Sequence, residues 1–385
     1  MSNEANPPTV VRVGVIGAGQ LARMMGEAAH DAGVDITVLA SSPDDSAVAT
    51  CDHFIVGEAR DNEAIEQLSL SVDVVTFDHE LVDLEHIVML EASGVVVRPS
   101  AGTLRYAVDK AYQRRELSRA GLPVPQFLVV SSSSDAKIPK FLEQLNGPPV
   151  IKAARGGYDG RGVLFPTDGT ETLAMIDEVC VNGEAVIEER LALKSEVAQL
   201  VARGADGSLV LYPLVTTVQS NGMCIEVRFP SDVPIALVDE AAALGTRIAE
   251  LIDVVGILAI ELFVTDQGLV INELATRPHN SGHWTIEGTR TSQFVNHLRA
   301  VSGQKLGPTT PTCSFAVMVN VVGGEEPSSL EAARDVDHVH VHDYGKSWRP
   351  NRKLGHVTAL GDDEHAAHVR AWESARAYGT RTQEK

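Results

Sequence analysis

Two glutamates stand in a segment that reads as a β-hairpin, GILAIELFVTDQGLVINELATRPHNSGHWT at residues 256–285. If Thr265 pairs with Leu269 across a three-residue Asp-Gln-Gly turn, Glu261 lies directly opposite Glu273. Cross-strand neighbours are about 5 Å apart at Cβ, so two like charges there destabilise the pair unless a cation compensates them. The pair therefore predicts a site for a hard divalent cation such as Mg²⁺. The alternative is a bulge or shifted register that turns one glutamate to the other face.

Polar side chains crowd the loop that follows this hairpin. Such a density of hydrogen-bond donors suits an anion better than a protein core. The loop is therefore a candidate for contact with an anionic substrate. Its polar members are Arg277, His279, Asn280, Ser281 and His283.

A glycine-rich loop, AARGGYDGRGV at residues 153–163, follows the predicted strand that ends in Lys152. Its glycines leave backbone amides free to wrap a phosphate, and Lys152, Arg155 and Arg161 bring positive charge to it. The alternative is a plain flexible hairpin, but the mixture of glycine, tyrosine and charge favours a mobile phosphate flap. The glycines are Gly156, Gly157, Gly160 and Gly162.

Lys110 opens a predicted helix, where its charge opposes the helix dipole. We expect it to reach outward to an anion, with a solvated lysine as the alternative. At the N-terminus, a strand runs into GAGQLARMM, which matches the glycine turn of a Rossmann-like fold. The next strand ends without an acid to hold a ribose hydroxyl, so the turn predicts a phosphate or polar ligand rather than a dinucleotide. The first ~100 residues are expected to form one small parallel α/β domain.

Composition limits the function classes. The 385 residues are 44% hydrophobic and 22% charged, with a net charge of −20, which argues against a nucleic-acid partner. The four cysteines have no metal or disulfide spacing, and no apolar run is long enough to cross a membrane. The N-terminus does not resemble a secretion signal, so we expect a cytoplasmic protein. His338, His340 and His342 would share one strand face, but no fourth zinc ligand accompanies them.

Four motifs in this order, GAGQLARM, GGYDGRG, INELATRPHNSGHWT and YGKSWRPNRKLGH, make the chain resemble a known family over essentially its whole length. That family is the N5-carboxyaminoimidazole ribonucleotide synthetases, the PurK type of ATP-grasp ligase. The resemblance implies an ATP-grasp fold of mixed α/β and α+β class. It also implies a Rossmann-like domain at residues 1–108, a linker and flap domain at 109–190, and a β-rich catalytic domain at 191–385.

The resemblance further implies a reaction. ATP would phosphorylate bicarbonate to carboxyphosphate, which yields CO₂ for capture by the exocyclic amine of 5-aminoimidazole ribonucleotide. Two Mg²⁺ ions, with Mn²⁺ as a possible substitute, would bridge Glu261 and Glu273 to the phosphates. The family also suggests a homodimer and a hand-off of the product to the carboxyaminoimidazole ribonucleotide mutase.

Residue roles carried over from the family fall into three sets. The catalytic set, with Asp159 as candidate base, is Tyr158, Asp159, Arg161, Arg277, His279 and Asn280. The nucleotide set is Lys110, Lys152, Gly157, Tyr158, Asp159, Gly160, Arg161, Gly162, Val163, Glu188, Glu189, Arg190, Leu191, Glu196, Gln219, Asn272 and Glu273. The substrate set is Gly19, Gln20, Leu21, Ser281, Lys346, Arg352 and Lys353.

Departures from the family pattern occur at three positions, because Val163 replaces a glutamine, Thr276 a proline and Gln219 a histidine. Two other classes stay open. A biotin carboxylase or a formate-using glycinamide ribonucleotide transformylase would share the glutamate pair and loop lysine, but should lack the basic C-terminal motif. A non-catalytic nucleotide-binding protein should lose one metal carboxylate, whereas both are present.

Overall fold

Three β-sheets organise the chain in the computed structural model, which describes residues 10–157, 162–324 and 329–380. The first is a parallel sheet of strand order β3-β2-β1-β4. Its central strands β1 and β2 are buried along most of their length because helices cover both faces. The elements are β1 (Val11–Ile16), α1 (Gln20–Ala32), β2 (Val34–Ala40), β3 (His53–Val56), α2 (Asn62–Ser71), β4 (Val74–Phe77) and α3 (Leu84–Ala92).

This sheet confirms the parallel α/β prediction for the N-terminal part. Residues 95–97 pair with this sheet only through a single parallel bridge between Val75 and Val97. Pro99 follows two residues later, and it has no N–H with which to extend the ladder.

A small antiparallel sheet forms the central part, with strand order β5-β8-β6-β7. Two helices, α4 (Ala101–Val108) and α5 (Lys110–Arg119), lead into it. The glycine-rich loop joins β6 to β7, as a flap requires. Tyr158, Asp159, Gly160 and Arg161 lie outside the described residues. The elements are β5 (Phe127–Val130), α6 (Ile138–Leu142), β6 (Val150–Ala153), β7 (Val163–Leu164), α7 (Gly169–Cys180) and β8 (Ala185–Glu188).

The third sheet has nine strands and carries the glutamate hairpin. Its order is β14-β13-β9-β11-β12-β15-β17-β16, and β10 pairs with β9. The strands are β9 (Ser195–Arg203), β10 (Leu209–Leu211), β11 (Val215–Ser220), β12 (Met223–Phe229), β13 (Gly256–Thr265), β14 (Gly268–Ala275), β15 (Phe315–Val322), β16 (Val339–Asp343) and β17 (Lys353–Gly361). The helices are α8 (Ile235–Leu251), α9 (Thr285–Gly288), α10 (Gln293–Val301), α11 (Leu330–Arg334) and α12 (Glu364–Ala377).

Helix α10 joins the first sheet to the third. Its apolar residues Phe294, Val295 and Leu298 pack in one core with the buried face of α1. His297 is fully buried; its Nε2 bonds Thr76 Oγ1 of β4 at 2.9 Å, and its Nδ1 accepts the backbone N–H of Ile257 of β13 at 3.2 Å. The loop between β14 and α10 is therefore held between the two sheets.

The histidine strand differs from its prediction. His338 precedes β16, while His342 bonds Glu287 at 2.5 Å and stacks on His356 with ring centroids 4.4 Å apart. The three histidines therefore do not share one strand face. In the described ranges, no helix combines the length and the apolar character needed to cross a membrane.

Candidate active site

The two glutamates face each other across the β13–β14 hairpin, as predicted, but by a different register. Thr265 pairs with Gly268, so the turn has two residues instead of the expected three. A bulge then makes Asn272 an extra residue and brings Glu273 opposite Glu261. Without the bulge, Asn272 would oppose Glu261 and Glu273 would point to the other face. With it, all three polar side chains line the same cleft.

Positive side chains meet this carboxylate pair from the central part of the chain. Lys110 forms an ion pair with Glu273, so the anion that it reaches is a protein carboxylate. Lys152 Nζ lies 3.2 Å from Asn272 Oδ1, and Asn272 in turn donates to Glu261 at 3.0 Å. The hairpin and both lysines therefore form one polar network at the floor of the cleft.

Glu188, a member of the predicted nucleotide set, makes its strongest contacts with side chains of the protein. Its carboxylate is buried, accepts from Arg114 Nε at 2.6 Å, and lies 2.8 Å from Lys152 Nζ. Burial alone would raise the pKa of Glu188, but the charges of Arg114 and Lys152 outweigh it and hold the pKa at about 2. The Glu188 side chain therefore positions Lys152. Arg114, which also donates to the Asn272 carbonyl at 2.6 Å, was not predicted.

The electrostatics of the glutamate pair suit a cation. Burial and the charges of Glu273 and Glu196 raise the pKa of Glu261 to about 7. Burial acts in the same direction on Glu273, but Lys110 and Lys152 lower the pKa of Glu273 below its ordinary value. Both side chains are partly accessible from the cleft, with 29% of Glu261 and 41% of Glu273 exposed, so an ion that enters the cleft can reach them.

Glu261 and Glu273 alone supply only some of the ligands that a divalent cation needs. No cluster of three metal-ligating side chains occurs in the described portion of the chain. Mg²⁺ takes about six oxygens and often obtains several from substrate phosphates and water. The pair is therefore suited to a cation that arrives with a nucleotide.

The loop after the hairpin contributes three side chains to the cleft. His279 Nε2 lies 3.5 Å from Glu261 Oε1. Both polar atoms of the Asn280 carboxamide are buried without a partner among the residues that the structure describes, as expected for a group that awaits a ligand. Arg277 Nε lies 2.9 Å from Glu80 Oε1. Ser281 is different, because it is 2% exposed and bonds His279 Nδ1 at 2.9 Å, so it supports His279 rather than facing substrate.

Most of the predicted nucleotide set lines one cleft of about 1930 Å³. That volume exceeds an ordinary small-molecule site and can hold a nucleotide together with a second substrate. Gly162 is not among its lining residues. The described members that line it are Lys110, Lys152, Gly157, Val163, Glu188, Glu189, Arg190, Leu191, Glu196, Gln219, Asn272 and Glu273.

The N-terminal glycine turn already holds an anion of the protein itself. The Asp78 carboxylate accepts from the backbone N–H of Gly19 at 2.7 Å and of Ala22 at 2.9 Å. A phosphate therefore cannot use these amides, although the pattern suggested one. Leu21 is 8% exposed and belongs to the core, so it is not open to substrate. Gln20 remains available, and its Oε1 accepts from Lys346 Nζ at 2.7 Å.

The basic C-terminal residues lie in three different settings. Lys346 meets Gln20, the first residue of α1, whereas Lys353 lines the main cleft. Arg352 donates to the carbonyl and hydroxyl oxygens of Ser347 in its own turn, at 3.0 and 2.8 Å. The two lysines are thus better placed for a substrate than the arginine.

Sequence reasoning missed the loop after β4. His79 and Glu80 of this loop line the cleft, and Glu80 pairs with Arg277. The available signal was their position at the carboxyl end of a strand in a parallel sheet, where ligands of such sheets bind.

Comparison with known proteins gives three matching family models. The Ribonucleotide synthetase preATP-grasp domain matches residues 10–108, and the ATP-grasp domain matches residues 115–294. The Phosphoribosylaminoimidazole carboxylase C-terminal domain matches residues 316–370. The three models follow one another along the chain without overlap.

Whole-chain relatives agree. The N5-carboxyaminoimidazole ribonucleotide synthase of Mycobacterium tuberculosis is 41% identical over 361 residues, covering 91% of this chain and 84% of the relative. That of Corynebacterium ammoniagenes is 39% identical, covering 94% and 91%. This chain belongs to the N5-carboxyaminoimidazole ribonucleotide synthase family. The resemblance and the ATP-grasp fold class are therefore confirmed.

Solved structures of this family superpose closely. The N5-carboxyaminoimidazole ribonucleotide synthetase from Thermus thermophilus has a TM-score of 0.87 at 32% identity, covering 97% of this chain and all of the other. The N5-carboxyaminoimidazole synthase from Aspergillus clavatus, solved with ADP and 5-aminoimidazole ribonucleotide, has a TM-score of 0.86 at 29% identity, with 96% and 98% covered. As a family member, this chain is an ATP-grasp ligase.

Proposed function

We propose that this chain carboxylates 5-aminoimidazole ribonucleotide with bicarbonate at the expense of ATP. The products are N5-carboxyaminoimidazole ribonucleotide, ADP and phosphate, in de novo purine biosynthesis. The observation that carries the proposal is the convergence of Glu261, Asn272 and Glu273 with Lys110 and Lys152 in one cleft of a chain of this family. Two carboxylates beside two ammonium groups suit a metal-bound polyphosphate.

At the nucleotide end, Lys152 and Lys110 would contact the phosphates of ATP. When bound, Mg²⁺ or Mn²⁺ would be held by Glu261 and Glu273, and would supply positive charge to the transferred phosphoryl group. Lys110 would exchange its contact with Glu273 for a phosphate oxygen. Glu188 would keep Lys152 in place during this exchange, because its pair with Lys152 is buried.

At the bicarbonate end, Arg277, His279 and Asn280 would hold the anion. A bicarbonate oxygen attacks the γ-phosphorus, the bond from that phosphorus to the β,γ-bridging oxygen breaks, and ADP leaves. The resulting carboxyphosphate separates into CO₂ and phosphate. Both polar atoms of the buried Asn280 carboxamide lack a hydrogen-bond partner among the described residues. This supports an oxygen-rich ligand at this point of the cleft.

The amine of the ribonucleotide then attacks CO₂, forming a carbon–nitrogen bond and losing one proton. Asp159 is the predicted base, with Tyr158 and Arg161 beside it in the glycine-rich loop. The 5′-phosphate of the ribonucleotide would be bound by Lys346 and Lys353, with Gln20 orienting Lys346. Charge-assisted contacts of this kind are the strong ones in phosphate recognition.

Phosphate release tests the proposal. We expect release from ATP to require bicarbonate, to increase when 5-aminoimidazole ribonucleotide is added, and to match the carboxylated product one to one. The proposal would be overturned if phosphate release did not depend on the ribonucleotide, or if the carboxylated product formed without bicarbonate. Biotin and glycinamide ribonucleotide serve as control acceptors for the two related ligase activities.

The product is an N-carboxylate, which is unstable in water. A mutase that moves the carboxyl group to carbon is therefore a natural recipient. From its family we also propose that this chain forms a homodimer and works in the cytoplasm.

A further inference from the structure

Gln293, the first residue of α10, has a fully buried side chain. Its Oε1 accepts the backbone N–H of His279 at 2.9 Å, and its Nε2 donates to the backbone carbonyl of His279 at 2.8 Å. One carboxamide thus holds both main-chain polar groups of a cleft residue. The Gln293 carboxamide thus gives His279, a loop residue, the two backbone hydrogen bonds that a neighbouring strand would give it in a sheet.

Further hydrogen bonds tie the same residue to the same loop. Nε2 of Gln293 lies 3.1 Å from His283 Nδ1, which accepts its second hydrogen. The backbone N–H of Gln293 donates to Thr285 Oγ1 at 3.0 Å, and that hydroxyl donates to the Gly282 carbonyl at 2.6 Å. A Cβ on Gly282 would lie 2.5 Å from Gln293 Oε1, so glycine is required for this approach. The loop is therefore built around the carboxamide.

The other side of α10 is anchored outside the loop. Phe294 and Leu298 are buried against α1, and His297 bonds both β4 and β13. The position of Gln293 is thus set by two sheets rather than by the loop that it holds.

We propose that Gln293 is a positioning residue that fixes the His279 ring beside Glu261. This inference rests on the proposed function, in which His279 contacts the reacting anion. Glu261 at 3.5 Å and Ser281 at 2.9 Å are polar neighbours of the His279 ring, and rotation of the His279 backbone would move the ring away from both. Gln293 itself does not line the cleft.

The test compares Gln293→Met with Gln199→Met and His279→Ala. Gln199 is a matched control because it is also buried and its Nε2 also donates to two backbone carbonyls, those of Leu200 and Tyr212, but not in the cleft loop. We expect Gln293→Met to lower kcat about 10- to 100-fold, as for a displacement of about 1 Å, with the KM for ATP within about twofold. Gln199→Met should lose a similar amount of thermal stability and keep its kcat.

Gln293→Glu adds a pH readout. The carboxylate can accept from the His279 N–H but cannot donate to its carbonyl, whereas the protonated acid can do both. The kcat of this variant relative to the wild type should therefore rise as the pH falls. This ratio decides the matter if Gln293→Met fails to fold.

Three outcomes for the glutamine variants would each overturn the positioning role: a wild-type kcat in Gln293→Met, an equal loss of kcat in Gln199→Met, or a pH-independent ratio for Gln293→Glu. If His279→Ala keeps its kcat, the proposed contact between His279 and the anion fails, and the positioning role fails with it. If His279→Ala loses activity while Gln293→Met does not, only the positioning role fails.

Discussion

Lys152 Nζ lies 2.8 Å from the carboxylate of Glu188, and both side chains are buried. The second oxygen of Glu188 accepts from Arg114 Nε at 2.6 Å. Burial lowers the pKa of Lys152, while Glu188 counteracts that shift and favours the charged ammonium. Glu188 thus holds the ammonium of Lys152 in place at the cleft and opposes the loss of its charge.

Replacing this lysine should weaken nucleotide binding selectively. Lys152→Met removes a charge-assisted contact of about 1.5–3 kcal/mol, so the KM for ATP should rise about 10- to 100-fold. Arg114 still pairs with Glu188, so the fold should persist, as measured by circular dichroism. Lys194→Met is the control, since Lys194 is 58% exposed and pairs with Asp266 at the hairpin tip. An unchanged KM for ATP in Lys152→Met would contradict the assignment.

Glu273→Gln should abolish turnover because it takes one carboxylate from the proposed metal site while preserving side-chain shape. Mn²⁺ binding in the presence of ATP, followed by electron paramagnetic resonance, should weaken in parallel. Asp266→Asn in the same hairpin is 86% exposed and should change neither quantity. Near-normal phosphate release from Glu273→Gln at saturating Mg²⁺ would exclude the two-carboxylate site.

The basic C-terminal residues should differ in their effects. Lys353→Ala should raise the KM for the ribonucleotide by one to two orders of magnitude, about the value of one or two charge-assisted hydrogen bonds, and leave the KM for ATP nearly unchanged. Arg352→Ala should have a smaller effect, because Arg352 bonds Ser347 in its own turn. Steady-state kinetics with each substrate varied in turn would check this order. A larger effect of Arg352→Ala than of Lys353→Ala would contradict the placement of the 5′-phosphate at Lys346 and Lys353.

His297 should contribute to acid sensitivity. Burial lowers the pKa of His297 from 6.5 to about 3, so the unfolded chain binds this proton more readily than the folded chain. Its contribution to stability is therefore complete above about pH 6.5 and is lost as the pH falls from there towards 3, by up to about 1.4 kcal/mol per unit.

His297→Gln removes that titration. Its free energy of unfolding, measured with urea between pH 7.5 and 5, should fall less steeply than that of the wild type. Parallel curves for the two proteins would show that His297 plays no part. His283 and His356 are also buried, with pKa values lowered by burial, so some acid sensitivity should persist in the variant.

The sequence predicted the glutamate pair but not the register that produces it. The prediction counted outward from a three-residue turn, whereas the turn has two residues and a bulge at Asn272 restores the match. Asn272 inside the strand was the local sign of that bulge, because asparagine is uncommon in strands. A backbone irregularity of one residue changes register without changing the hydrophobic pattern.

Other features depend on distant partners and could not be predicted from spacing. Arg114 and its acceptors Glu188 and the Asn272 carbonyl are separated by 74 and 158 residues. Asp78 fills the glycine turn from 59 residues away, at Gly19. By contrast, the hairpin of β11 and β12 had a local signal, Asn-Gly at 221–222, where both residues have positive φ as this turn type requires.

The nine-stranded sheet has a mechanical consequence. Its hydrogen-bonded ladder runs without a break from β14, which carries Glu273, to β17, which begins at Lys353. The separation of these two residues is therefore a fixed length of the scaffold. Over the part of the chain that the structure describes, the small sheet that carries Lys152 shares no ladder with it; side-chain hydrogen bonds of Lys152 with Asn272, and of Arg114 with Glu188 and the Asn272 carbonyl, hold Lys152 beside the hairpin.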